Sequence, residues 1–358
     1  MMCKLYVKRS CFQGVFMPIT QAQLAQKIGV SQVSVSLAFK SGHNRLNEKT
    51  RSQILKAAEK YGYRPNASAR IMRQGRFGSI GLLHSAHAKR SYLPVPMLDA
   101  IYEALEDRKQ NLTFCRATDE QLADPANLPK MLSESHSDGL LVNIAKQIPQ
   151  SLSELLKRSK LPAVWLNVMQ EEDCVRHDDF AAAVTLTEHL LWLGHRRILH
   201  INASYDASDT HYSGELRQQG YEHAMRQAGL NPRCLTGQKI PGDTLLQTAL
   251  QVLDTPDRPT AIVHYGDGSA VAFIQAAERL GLEVAKDLSL ALLSCNSPES
   301  YHGMLLTHMQ HDHQGVAKAA ADMLLEKINT PPSCRKPMPS VIVPMTMYQG
   351  RSCGRLVK

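Results

Sequence analysis

The chain has 358 residues, 43% hydrophobic and 21% charged, which is globular composition with room for two or three domains and a sizeable core. No run approaches the roughly 18 apolar residues that span a bilayer, and the eight cysteines form no C-x-x-C pair, which argues against a zinc ribbon or dithiol motif and fits a reducing cytoplasm. The net charge of +8 is uneven: residues 1–78 hold 14 Lys and Arg against only Glu48 and Glu59, whereas residues 79–358 are slightly acidic, so the head is expected to meet a polyanion.

Residues 1–17 carry basic side chains without a continuous apolar run and do not read as a secretory leader. They read as an extension, disordered or ahead of the true start, with Met17 a candidate initiator. Thr20 is a good N-cap, and Leu24 and Ile28 with Ala25 mark one apolar face of a short helix that Gly29 ends. The next segment, "GVSQVSVSLAF", alternates like a strand. Wound as a helix capped by Ser31, it puts Val35, Ala38 and Phe39 on one side and Gln32, Val33, Ser36 and Leu37 on the other. A third helix follows Asn47, with Ile54, Leu55, Ala58 and Tyr61 as its stripe and Gly62 as its stop. Helix, glycine turn and helix is the helix-turn-helix pattern, whose second helix enters the major groove. Residues 66–74 read as a short basic helix, too short to be stable alone in water.

From Ser79 the grammar changes. Short apolar runs such as "SIGLLHS" and "DGLLVNIA" alternate with helical patterns such as "PMLDAIYEALEDR", and the rhythm recurs from "RRILHINA" to "LSLALLS". This predicts two lobes with doubly wound parallel sheets and a ligand cleft between them.

"VSQVSVSLAF" and "LNEKTRSQILKAAEKYGYRPNASARIMRQGRFGSIGLL" resemble the head and hinge of the lac repressor/galactose repressor (LacI/GalR) family. "LTEHLLWLGHRRILHI", "LRQQGYEHAMRQAGL", "RPTAIVHYGDGSAVAFIQAAERLGLEVAKDLSL" and "LTHMQHD" resemble its body, and the likeness covers roughly residues 18–330. It implies an all-α helix-turn-helix head and an α/β body of the type I periplasmic-binding-protein-like kind. The expected division is a DNA-binding domain at 18–64, a hinge at 65–78, and an effector-binding and dimerisation domain at 79–345. Within that domain, lobe one takes 79–176 and 307–336, lobe two takes 177–306 and 337–350, and a tail covers 346–358.

DNA contacts are implied for Thr20, Ser31, Gln32, Val33, Ser36, Leu37, Asn47, Thr50 and Tyr63, and in the hinge for Asn66, Ala69, Arg70, Met72 and Arg73. The family's guanine-reading Arg is Leu37 here, so thymine methyls for Leu37 and Val33 and an adenine edge for Gln32 are expected instead. The family's inserted Leu is Met72, which can still wedge a base step. Ser85, Arg217, Gly266, Asp267 and Ser294 are implied for the effector, with a salt bridge as the other role for Arg217 and a helix cap as the other role for Asp267. Gly266 and Ser294 replace polar ligand-holding residues of the family, which changes what the cleft accepts.

His308, His311 and His313 look like a metal cluster but are expected to be solvated or hydrogen-bonded, and no catalytic set appears. The expected protein is therefore a cytoplasmic homodimeric regulator, a repressor, binding operator DNA and a sugar-like effector, with no enzyme activity, cofactor, metal or membrane partner. Two other readings stay open: a DNA-binding regulator with a protein co-regulator or no effector, and a solute-binding module without DNA regulation.

Overall fold

Thr20 closes a capping box with Gln23, accepting from its backbone N–H at 3.3 Å while the Gln23 side chain takes the Thr20 backbone N–H at 2.9 Å. This computed structural model describes residues 19–39, 46–66, 75–87, 90–134, 136–202, 211–236, 244–293 and 303–356. The extension, the hinge positions Ala69, Arg70, Met72 and Arg73, and Ser294 lie outside them. Contacts divide the chain into two units, residues 1–76 and 77–358.

In the first unit, helix α1 (Gln21–Ile28) ends at Gly29, whose φ of 68° is the left-handed conformation that glycine adopts without strain. Ser31 caps α2 (Gln32–Ala38) and Asn47 caps α3 (Glu48–Tyr61). Leu24, Ala25, Val35, Ala38, Ile54, Ala57 and Ala58 form the core of the three helices. "GVSQVSVSLAF" is thus a helix, because its alternation breaks at 3.6 residues per turn into a buried pair and an open face. Three expected core positions differ. Phe39 is 37% exposed and meets Tyr63 edge-on at 5.6 Å, because it follows the last helical turn. Leu55 and Tyr61 are also exposed, and Ala57 takes the inward place beside Ile54 and Ala58.

The second unit has two six-stranded sheets among its described residues. The first contains β1 (Ser79–Ser85), β2 (Asn111–Ala117), β3 (Gly139–Asn143), β4 (Ala163–Leu166) and β5 (Cys174–His177), all parallel, in the order β2-β1-β3-β4-β5. The second repeats that order with β6 (Ile198–Asn202), β7 (Arg233–Thr236), β8 (Ala261–His264), β9 (Ser289–Leu292) and β10 (Thr307–Gln310), as β7-β6-β8-β9-β10. Such strands are buried on both faces, so β3 and β8 are apolar runs without alternation.

Helices cover both sheets. In lobe one, α4 (Val95–Glu106) packs with the long helix Ala-rich in "HQGVAKAAADMLLEKIN", and the short helices α5 (Asp119–Ala123) and α6 (Lys130–Ser133) and α7 (Gln150–Ser159) fill its other side. In lobe two, α8 (Asp179–Trp192) lies against α9 (Tyr212–Gln227), while α10 (Leu245–Leu253) and α11 (Asp267–Arg279) cover the other face. Gly220 permits the first pairing, since a Cβ there would stand 2.4 Å from the Phe180 carbonyl oxygen.

The lobe boundaries differ from those expected. Strand β10 belongs to the second sheet, and the chain returns to lobe one only with α12 (His313–Asn329). Strand β11 (Val341–Val343) then joins β5 in the first sheet, and β12 (Thr346–Tyr348) runs antiparallel to β10 in the second. Residues 346–356 are therefore part of lobe two: Ser352 is buried, and the Leu356 N–H donates to the Leu193 carbonyl at 3.0 Å. The periodicity of a strand marks where it is, not which of two similar sheets it joins.

Candidate functional site: an exposed helix face and an inter-lobe cleft

Ser31 accepts from the Ser34 backbone N–H at 3.0 Å, and its hydroxyl lies 2.9 Å from that of Ser34. That cap fixes the start of α2 and leaves Gln32 and Val33 open, with Val33 67% exposed. Ser36 and Leu37 are half-buried on the same helix. Arg51 ties the far end down, donating to the Ala38 carbonyl at 3.2 Å. Asn47 is spent on the Lys49 backbone N–H at 2.9 Å, and Thr50 is half-buried in the first turn of α3. Tyr63 packs on the head core and Asn66 is exposed. The helix thus presents a short polar-apolar face from a fixed three-helix base.

The cleft is built where the chain crosses between lobes. At the first crossing, His177 ends β5, Asp178 caps α8 through the Ala181 N–H at 3.0 Å, and Asp179 opens that helix. At the second, Gln310 ends β10, Asp312 caps α12 through the Gly315 N–H at 2.8 Å, and His311 and His313 flank the cap. The third, between β11 and β12, is joined to the first by the Asp178 N–H donating to the Val343 carbonyl at 2.9 Å. With each central Asp turned to its helix, the flanking His177, His311, His313 and Asp179 line a cavity of about 700 Å³.

Arg217, 4% exposed on α9, reaches into this cavity. Its Nε donates to Asp179 at 2.7 Å, Nη1 to the Tyr265 carbonyl at 2.8 Å, and Nη2 to His311 Nε2 at 3.4 Å. The guanidinium also lies 4.7 Å from the Tyr265 ring centroid. The Asp179 charge offsets the desolvation of this buried cation and keeps it above the ordinary arginine range. Arg217 is therefore ion-paired, one of its two expected roles, and it also lines the cavity.

The other expected effector positions divide. Gly266 lines the cavity and is itself the N-cap of α11, with Asp267 the first helical residue, so the capping position is one residue earlier than expected. Ser85 does not line the cavity: it is buried at the end of β1, where its hydroxyl takes the His87 N–H at 3.1 Å. Asn143, Arg176, His177 and His211 line the cleft without having been expected there. Their signal in the sequence is faint: Asn143 and His177 are polar residues at the last position of an apolar strand.

The cleft histidines are neutral. Burial pushes His177 and His211 down to about 4. His311 is held well below the ordinary value, by burial first and then by His177 and Arg217. The rings of His177 and His311 lie 4.6 Å apart, and His177 and His313 5.8 Å apart. His311, through Arg217, and the buried His308, through the Leu306 carbonyl at 2.9 Å, are hydrogen-bonded, one of the two expected states, and among the described residues no group of His, Cys, Asp or Glu has metal-holding geometry.

A family described as periplasmic binding protein-like domain matches residues 187–353. The repressor PurR of Vibrio vulnificus is 24% identical over 315 residues, 86% of this chain and 92% of that protein. The ribose operon repressor of Escherichia coli is 25% identical over 320 residues, covering 87% and 94%. The lac repressor dimer bound to operator and the anti-inducer ONPF superposes with a TM-score of 0.72 at 20% identity, over 95% of this chain and all of that one. Along most of its length the chain is thus similar to transcriptional repressors. A LacI-family regulator from Enterococcus faecium with bound ribose shares the fold at a TM-score of 0.60 and 20% identity, over 78% of this chain and all of that one.

Two further imidazoles lie in the lobe-two core. His200 is pushed down to about 4 and His264 to about 3, mainly by burial. Unfolding returns each toward 6.5, so between those values the unfolded chain binds more protons than the folded one. Stability contributed by the neutral rings is complete above the unfolded value and is lost as pH falls toward the folded one. Calorimetry of the full chain should therefore show a melting temperature that drops steadily from about pH 7 to about pH 5. A melting temperature that holds or rises over that range would contradict the neutral assignment.

Proposed function

We propose that this chain is a cytoplasmic operator-binding repressor of the LacI/GalR family, acting as a homodimer, whose DNA affinity is set by a small molecule held between the two lobes. The observation that carries the reading is the open face of α2: Gln32 and Val33 point outward from a helix whose Val35 and Ala38 are buried, on a head with 14 basic and two acidic residues in 1–78. A helix held by its own core and surrounded by cations suits the major groove, with phosphate contacts positioning it and base contacts specifying sequence. The repressors it resembles across most of its length support the same role. Exposed Val95, Tyr102 and Phe114 on lobe one supply apolar surface for a partner copy.

In this reading Arg217 and the cleft histidines bind the effector, with Gly266 beside them. Ligand bound at the crossings changes the relative population of two lobe arrangements, and the hinge with Met72 responds by entering or leaving the minor groove. Among the described residues no helix is long and apolar enough to cross a membrane.

The full chain is expected to bind DNA from its own upstream region roughly a thousandfold or more tighter than scrambled duplex at moderate salt. Equal affinity for both, with and without small molecules, would overturn the regulator reading. The variant Leu37→Arg tests the exposed face separately. Selection from a randomised operator pool should shift toward guanine at one position in each half-site, because a guanidinium pairs with guanine O6 and N7 where leucine cannot. An unchanged preference would show that Leu37 does not face bases.

A further inference from the structure

Three guanidinium groups, those of Arg90, Arg176 and Arg217, line the cavity wall, beside one carboxylate among the described residues, Asp179. Arg90 is paired with Asp119, and Asp179 is consumed by Arg217. Among the described residues Arg176 has no carboxylate partner. It lies on β5 at the inner end of lobe one, its guanidinium 5.7 Å from the Tyr212 ring centroid. Nη1 donates to the neighbouring His177 carbonyl at 3.3 Å, and Nε is buried with no hydrogen-bond partner among the described residues. A guanidinium with an unmade bond inside a cleft is costly unless an anion completes it.

Two strands away, Asn143 ends β3. Its Nδ2 donates to the Tyr92 carbonyl at 3.1 Å, and since that carbonyl only accepts, the amide orientation is fixed. Its Oδ1 is then a buried acceptor with no donor among the described residues. The His311 ring adds the opposite demand. Arg217 has only donors, so His311 Nε2 accepts from it, and the proton of the neutral ring is on Nδ1, which has no acceptor. The cleft therefore asks for an anion at Arg176, a hydroxyl donor at Asn143 and an acceptor at His311.

We infer that the effector is a polyol bearing an oxyanion, a sugar phosphate or a sugar acid, with the oxyanion taken by the Arg176 fork and hydroxyls by Asn143 and His311. This rests on the effector-binding reading above and narrows its ligand class. A neutral sugar would satisfy Asn143 and His311 but would leave Arg176 without a counter-charge, whereas phosphate and carboxylate both match two of its N–H groups.

The test is calorimetric titration of the full chain with ribose, ribose 5-phosphate, ribonate and inorganic phosphate. At least one of the two charged sugars is expected to bind about tenfold or more tighter than ribose, and which one does so separates phosphate from carboxylate. Arg176→Gln should remove that advantage, and Arg176→Lys, which keeps charge without the fork, should restore part of it. Ribose binding as tightly as both charged forms, no heat from either charged form, binding of inorganic phosphate alone, or Arg176→Gln retaining the wild-type preference would each overturn the inference. Operator binding by the wild-type chain is measured alongside. Specific DNA binding without a charge preference overturns this inference alone, and a charge preference without specific DNA binding overturns only the regulator reading.

Discussion

The ion pair between Arg217 and Asp179 is the constraint around which the cleft is arranged. Both side chains are almost fully buried, and an unpaired charge at that depth would cost several kcal/mol. The pair therefore holds the start of α8 to α9, while the remaining guanidinium donors bind the loop after β8 and the crossing at His311. One side chain thus touches a crossing segment, the loop at the carboxyl end of β8 and the neighbouring helix. Gly220, one turn along the same helix, supplies the close approach that makes this reach possible.

In the proposed function, crossing geometry is what couples occupancy of the cleft to the arrangement of the lobes. Each of the first two crossings has an Asp cap flanked by residues that face the cavity. On that proposal a ligand bound at His311 or His177 would touch the segments that connect the lobes, and only differential contact with two arrangements is needed to shift their populations. The neutral state of these rings suits that role, since charged neighbours at 4.6 Å would repel each other and Arg217.

Most of the fold was legible because its signals are local. Gly29 and Gly62 end helices, Ser31 and Asn47 begin them, and the apolar runs at β1, β3, β6 and β8 mark buried parallel strands. Arg217 was legible through its motif. The rest of the cleft was not, because its residues are separated by long stretches of sequence and meet only through sheet order. Asn143, Arg176 and His211 are 33 and 35 residues apart in the chain and carry no shared spacing. The lobes of β10 and β11 are exchanged relative to expectation for the same reason: two sheets of identical order offer a strand two equivalent edges. Ser85 failed differently, since a serine at a strand end is used as readily to close the following turn as to meet a ligand.

Chemical denaturation of Asp179→Ala, beside Asp179→Leu combined with Arg217→Met, tests the pair most directly. The single variant strands a buried guanidinium and should lose about 3–5 kcal/mol, while the apolar double variant should recover most of that loss. A single variant within about 1 kcal/mol of the parent, or a double variant no better than the single one, would contradict the central place given to this ion pair.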